Sequence, residues 1–283
     1  MGQNHLQLNF VDQDLRNRSF RRQRLNGADF RRADLRGCSF QQAELVNANF
    51  EQARMGQSRR QKVIWWSTAI ATLLLAGNAI STLVAGSLGQ TPTDKAWAYV
   101  VALVICLGVA GGLAGIHSKI SPSFKRWSDL VAGSLATAVV GFYYAGSVTD
   151  KDPRWAIAGA VVGAGVALAW GWRQTISSTI AFQMMTTLAA YGFSFLVGAT
   201  AIALVNVGNW LPGILVSLVS LLFLWLTWRG WVGLGKLIFQ TPGTSFQGAN
   251  LTQAHFSQGV RSADFTGAIG KFSDDNANFR DGV

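Results

Sequence analysis

The chain has 283 residues, a formal net charge of +10, 13% charged residues and 49% apolar and aromatic residues. A soluble domain of this size carries near 25% charged residues, so the composition argues against an ordinary soluble fold for the whole chain. Only two cysteines occur, Cys38 in a polar repeat and Cys106 in an apolar run, which argues against a disulfide framework or a cysteine metal site.

The first 62 residues hold twelve Lys/Arg against six Asp/Glu. No leader pattern opens the chain, and the first apolar segment is expected to act as an uncleaved anchor. A basic segment fits nucleic acid or an anionic lipid surface. This one adjoins an apolar core, so lipid is the expected contact and no nucleic-acid partner is expected.

The basic segment is periodic. Phe10, Leu15, Phe20, Leu25, Phe30, Leu35, Phe40, Leu45 and Phe50 recur every five residues with strict Phe/Leu alternation. Neither a helix nor a strand has that period. Two residues before each apolar one, the later repeats place Ala28, Ala33, Cys38, Ala43 and Ala48, and Asp29, Asp34 and Asn49 fall between.

Ala28-Asp29-Phe30 and Ala33-Asp34-Leu35 resemble the pentapeptide-repeat family, whose motif is a small residue, Asp or Asn, Leu or Phe, then two variable positions. The resemblance implies a right-handed quadrilateral β-helix with about four repeats per coil, a solenoid that needs several stacked repeats. Residue i would then stack on i+20. Phe10, Phe30 and Phe50 would share one face, with Phe20 and Phe40 opposite, and Leu15/Leu35 and Leu25/Leu45 between them. Cys38 reads as a substitute for Ala. Gln13, Arg18 and Gln23 break the small position, and a buried Arg18 would be costly, so the first coil is expected to be open, irregular or covered. The family's variable positions face outward, which makes Arg21, Arg22, Arg31, Arg32 and Arg36 the candidate contacts for an acidic partner or lipid headgroups.

Beyond residue 62, long stretches lack any charge, including Val63–Thr93, Ala96–Ile116 and Gln174–Trp228. Runs of about 20 apolar residues read as membrane helices. Six spans fit, near 63–88, 96–117, 129–148, 155–172, 180–206 and 210–235. Positive residues then gather on one side (Arg59, Arg60, Lys62, Lys119, Lys125, Arg126, Arg173, Arg229, Lys236), against Lys95, Lys151 and Arg154 on the other. That bias places both termini in the cytoplasm. Trp97, Trp155 and Trp210 open alternate helices, which suggests three tandem hairpins or repeated interface chemistry. The last span is Leu-rich and reads as lipid-facing.

Small residues recur at four-residue spacing, which lets helices approach closely in lipid. Gly133, Thr137, Gly141 and Ala145 form one ladder, and Gly159, Gly163, Ala167 and Gly171 another. Gly108 with Gly112, and Gly111 with Gly115, add two pairs. Asn78, Gln183, Thr186, Thr187 and Ser194 would line a pore or bond between helices. His117 is a lone interfacial histidine, read as polar edge in preference to a tetrapyrrole ligand.

A second block opens near Phe246. Ala249-Asn250-Leu251, Ala254-His255-Phe256, Ala263-Asp264-Phe265 and Ala277-Asn278-Phe279 fit the motif, but the spacing slips to nine and then fourteen residues. Residues 1–56, 57–238 and 239–283 are thus expected as repeat block, membrane domain and second repeat block. The two blocks together would make the core of one solenoid (Phe10 to Phe50 with Phe246, Leu251, Phe256, Phe265 and Phe279). No enzyme motif is present, so neither activity nor cofactor is expected. A membrane scaffold that binds proteins or itself through the solenoid is the leading expectation, and a channel gated by the solenoid is the alternative. The layout resembles membrane-bound cyanobacterial members of the family, which implies a plasma or thylakoid-type membrane.

Overall fold

A computed structural model describes residues 8–116, 122–150, 152–172, 175–257, 262–270 and 273–274. The chain divides into two compact units, Met1–Ile64 with Gln240–Val283, and Trp65–Phe239.

The first unit is built from one five-residue element. In each repeat the N–H three residues after an apolar residue returns to that residue's carbonyl, as from Gln13 to Phe10 (3.2 Å), Ala28 to Leu25 (3.1 Å) and Ala48 to Leu45 (3.1 Å). The third residue of each such turn has positive φ. Gly27 and Gly37 supply it without strain, while Asp12, Asn17, Arg22, Arg32, Gln42, Asn47 and Gln52 adopt it with a side chain. The Asp or Asn before the apolar residue has a local task. Its side-chain oxygen accepts the N–H two residues on, as at Asp29 (3.0 Å from Arg31 N) and Asn49 (2.9 Å from Glu51 N).

Successive turns of backbone lie side by side in parallel. Asn9 faces Asp29, Asp14 faces Asp34, Ser19 faces Ser39 and Arg24 faces Glu44, each 20 residues on. The returning chain joins the same ladders. Ser39 faces Ser245 and Glu44 faces Asn250, and β1 (Asn49–Phe50) pairs with β3 (His255–Phe256) at one constant offset. The remaining short strands are β2 (Thr244–Ser245), β4 (Ala263–Asp264) and β5 (Ser273–Asp274). Partner spacing shortens here, to 19 residues for Thr244 and Ala263 and 18 for His255 and Ser273. The slipped spacing is therefore two shortened turns with pairing kept.

The interior is two columns of rings. Phe10, Phe30, Phe50 and Phe256 stack at 4.8–5.0 Å. Phe20, Phe40, Phe246 and Phe265 stack at 4.9–5.1 Å. Neighbours in opposite columns meet edge to face, such as Phe50 and Phe246 at 5.4 Å. Leu15, Leu35, Met55, Leu25, Leu45 and Leu251 complete the core, with Ala28, Ala33, Cys38, Ala43 and Ala48 sealed beside them. Each fully buried Phe or Leu contributes about 1.5–3 kcal/mol. Arg18, with Gln13 and Gln23, is exposed and not buried. The first turn is regular, and its small position faces outward because no described turn lies beyond it. Phe279 lies outside the described residues.

The second unit contains helices α1 (Arg59–Ser87), α2 (Trp97–Ile116), α3 (Pro122–Val148), α4 (Pro153–Trp172), α5 (Ile176–Asn206) and α6 (Trp210–Gln240), the first and last of which begin or end in the other unit. Five are long and apolar enough to cross a membrane. The sixth, α2, is apolar over the shorter stretch Trp97–Leu113. Contacts give alternating directions. Gly141 meets Gly159 and Thr137 meets Gly163, so α3 and α4 are antiparallel. Gly108 meets Phe193 and Gly111 meets Ala190, so α2 and α5 are antiparallel too. Trp65 and Ala69 cluster with Ile180 and Met184, and Ile80 lies by Gly192, so α1 and α5 run together.

Glycine sets the closest approaches. A Cβ on Gly141 would overlap the Gly159 carbonyl oxygen, and one on Gly163 would lie 2.7 Å from the Thr137 oxygen. A Cβ on Gly133 would lie 2.7 Å from Phe182, and one on Gly108 2.7 Å from Phe193. Gly112 differs, because its Cβ would meet only Phe223 at an ordinary 3.7 Å. The tight contact on that turn is Gly111, whose Cβ would lie 2.6 Å from Ala190 Cα. The closest mutual approach of backbones, with glycine facing glycine, is between α3 and α4 at Gly141 and Gly159. Large apolar side chains face outward all round, including Ile70, Leu74, Ile105, Val161, Leu218 and Leu221.

Candidate interaction surface and the junction of the two blocks

The repeat stack presents its polar residues in columns set by the 20-residue ladder. Arg32 reaches across one turn to Asp12 with two bonds of 2.7 Å, and Arg24 lies 3.3 Å from Glu44. Within single repeats, Arg16 clasps Asp14, Arg31 clasps Asp29 (2.7 Å) and Arg36 clasps Asp34 (2.6 Å). These pairs are largely exposed, so each contributes little alone. Three of the five arginines singled out above, Arg31, Arg32 and Arg36, are thus held by carboxylates. Arg22 instead donates to the Gln42 amide oxygen (2.8 Å). Among the described repeats, residues 8–57, Arg18, Arg21, Arg22 and Arg54 carry no ion pair. Uncompensated charge therefore concentrates on the first turn, at Arg18, Arg21 and Arg22. Above Arg21 and Arg22 the columns continue as neutral Gln41 with Gln247 and Gln42 with Gly248.

The arginines hold these carboxyls below the usual range. The Arg16 guanidinium, then its N–H, lowers Asp14 to about 2. Arg32 lowers Asp12, Arg31 lowers Asp29 and Arg36 lowers Asp34. An unfolded Asp titrates near 3.9. Their stabilisation is therefore complete above about pH 4 and is lost as pH falls through each lowered value, which for Asp14 is about 2. The thermal midpoint of the repeat stack should be flat from pH 8 to 5 and drop below about pH 4. A midpoint that rises on acidification would contradict these pairs. Cys38 sits under the same ladder with its Sγ 2.9 Å from the Leu15 oxygen. Burial pushes its thiol up to about 12, so it is an inert core group.

The second notable site is where the chain leaves and re-enters the stack. Thr244 is fully buried. Its hydroxyl donates to the Leu35 oxygen (2.9 Å) and accepts the Gly56 N–H (3.0 Å). Gly243 passes so close to Gly56 and Gln57 that any Cβ would overlap their backbone. Ser58 and Gln61 cap the start of α1 reciprocally, Ser58 N to Gln61 Oε1 at 3.0 Å and Gln61 N to Ser58 Oγ at 3.1 Å. The Gln61 amide also donates to the Gly243 oxygen (3.0 Å), and the Gln57 amide to the Thr241 oxygen (2.7 Å). The outgoing and returning strands are therefore tied side by side. Ser58-x-x-Gln61 was a readable capping signal, whereas Thr244 and Gly243 gave none.

The comparison with known families bears on this unit. Residues 9–57 match the pentapeptide repeats, in eight copies. The matched stretch is the outgoing block and ends where the chain departs for α1. Neither curated proteins nor solved structures give a match to the chain.

The remaining candidates fall in the helices. Asn78 is exposed and donates to the Tyr144 hydroxyl (3.4 Å). Thr187 returns to the Gln183 oxygen (2.6 Å), and Thr186 does so at 3.2 Å. Ser194 and Ser220 exchange bonds to each other's carbonyl oxygens (2.8 and 2.9 Å), which joins α5 to α6. No buried side-chain N or O among the described residues lacks a partner. His117, Lys119, Lys151, Arg173 and the side chain of Lys125 lie outside the described residues.

Proposed function

We propose that the chain is a non-enzymatic membrane scaffold whose pentapeptide repeats, as a right-handed four-sided β-helix on the cytoplasmic side, bind an acidic protein partner. Pentapeptide repeats suggest an interaction module, and the apolar helices fit a membrane protein. The observation that carries the reading is the shared ladder of the two blocks. Residues 57 and 243 sit side by side, so the chain between them starts and ends on one side of the membrane. The number of crossings is then even. Five helices qualify by length and apolarity, so α2, antiparallel to α5, becomes the sixth crossing.

Charge supports the orientation. Arg59, Arg60 and Lys62 crowd the start of α1 with no acid in its first turn. Cations are unfavourable at that end of a helix dipole, and an anionic lipid surface offsets the cost. Arg126 over Trp172 and Arg229 over Trp225 fit interfacial anchors on the same side. The helix-to-helix bonding of Ser194 and Ser220, and the return of Thr187 to its own helix, favour packing over a polar lumen.

The test is capture from native membranes in mild detergent, comparing wild type with the Arg21→Glu/Arg22→Glu variant. The reading predicts a stoichiometric partner whose recovery falls at least about tenfold in the variant, since like charges repel it, with membrane levels unchanged. A homo-oligomer without any partner in either sample would sink the scaffold and direct attention to solute flux in liposomes.

A further inference from the structure

Near the middles of α2 and α3, Leu107, Ala110 and Ala136 are fully buried. Towards the end where α1 finishes and α2 begins, residues of α1, α2, α3 and α4 line a half-open cavity of about 460 Å³. That is within the range of small-molecule sites. The space exists because each helix places a small residue there: Gly86, Ala102, Ala138 and Ala160. A Cβ on Gly86 would meet nothing within 4 Å. Leu103, Val139 and Phe142 supply the larger apolar walls.

The polar groups of the lining define what can enter. Thr82 turns its hydroxyl to the Asn78 oxygen and Ser87 to the Val84 oxygen, each at 2.8 Å. Both side chains therefore present carbon to the cavity. Gln90, just past the end of α1, and Tyr99, in the first turn of α2, are the polar side chains at the rim. No charged residue among the described ones lines the space. Among the described residues an ion or a polar solute would find few binding groups inside, and water few partners.

We propose that this cavity holds one hydrocarbon chain, with any polar end of the molecule at the rim beside Gln90 and Tyr99. The inference rests on the membrane placement argued above. The chain comes either from a membrane lipid or from a free apolar molecule, and the chemistry of recognition is the same. Gly86→Leu and Ala160→Leu fill the space from two different helices.

The experiment is native mass spectrometry of full-length protein reconstituted in phosphatidylcholine and phosphatidylglycerol vesicles and released in mild detergent. Wild type should retain one hydrocarbon-chain molecule per chain, and each variant should lose at least about tenfold of it while keeping its thermal midpoint. A retained phospholipid identifies the first source. A molecule carried over from the cells, and not exchanged by the vesicles, identifies the second. Wild type without a retained molecule, or equal retention in two folded variants, overturns the proposal. Should alkaline extraction release the chain from native membranes, the membrane placement itself fails, a result separate from an empty cavity in an embedded protein.

Discussion

Replacing Phe50 with Ala should cost about 3–5 kcal/mol, the range for deleting a fully buried aromatic ring, and should loosen both repeat blocks at once. Phe50 is completely buried. It stacks on Phe30 of the outgoing block at 5.0 Å and on Phe256 of the returning block at 4.8 Å. It also meets Phe40 and Phe246 edge to face. Its ring is therefore where one column passes from one block to the other, and it touches both sides of the Phe40–Phe246 step where the second column does so. Limited proteolysis checks the expectation, because the variant should expose cleavage sites near both 40–55 and 245–256. The conservative Phe50→Leu should retain most of the protection, as Leu fills the neighbouring columns. Cleavage confined to one block would mean that the ring belongs to that block alone.

Two glycines on α4 should respond to the same substitution with opposite signs. Gly159→Ala places a methyl group onto the Gly141 carbonyl and the Ala145 side chain. Backbone cannot yield cheaply there, so α3 and α4 must separate, at a cost of about 1–3 kcal/mol. Gly165→Ala meets nothing within 4 Å. Its effect is the helix propensity alone, a gain of up to about 1 kcal/mol. Thermal unfolding of the purified variants in one detergent separates the two. Equal effects would contradict the α3–α4 crossing.

Much of this arrangement was readable because the repeat leaves few options. A period of five fits neither helix nor strand, and alternating Phe and Leu sort themselves into columns once residue i lies under i+20. The pairs Asp12–Arg32 and Arg24–Glu44 follow from the same offset, although the outward positions alone suggested only a basic face. Arg18 marked the first turn as an open one, since its position is interior in later repeats and it is exposed there. The register of the returning block was hidden by its two shortened turns, which spacing alone reads as interruption. Gly141 and Gly159 were legible as small-residue ladders, but which helices they join depends on tertiary contacts. Gly111 and Gly112 look alike in sequence, and only the facing backbone of Ala190 distinguishes them. The cavity had no signal, because Gly86, Ala102, Ala138 and Ala160 lie on four different helices.

The central claim is that the chain leaves its repeat stack, passes through the helices and re-enters the same stack. Gln41 and Gln247 occupy neighbouring ladder positions, with their amides 3.4 Å apart. Adjacent strands lie about 4.8 Å apart, within reach of a disulfide. The measurement is oxidation, in native membranes, of Gln41→Cys/Gln247→Cys in a chain that also carries Cys38→Ala and Cys106→Ala. Rapid formation of an intramolecular disulfide, seen as a reducible mobility shift at monomer mass, is the predicted result. Failure to crosslink, or disulfides only between separate chains, would contradict the shared stack and with it the even number of crossings.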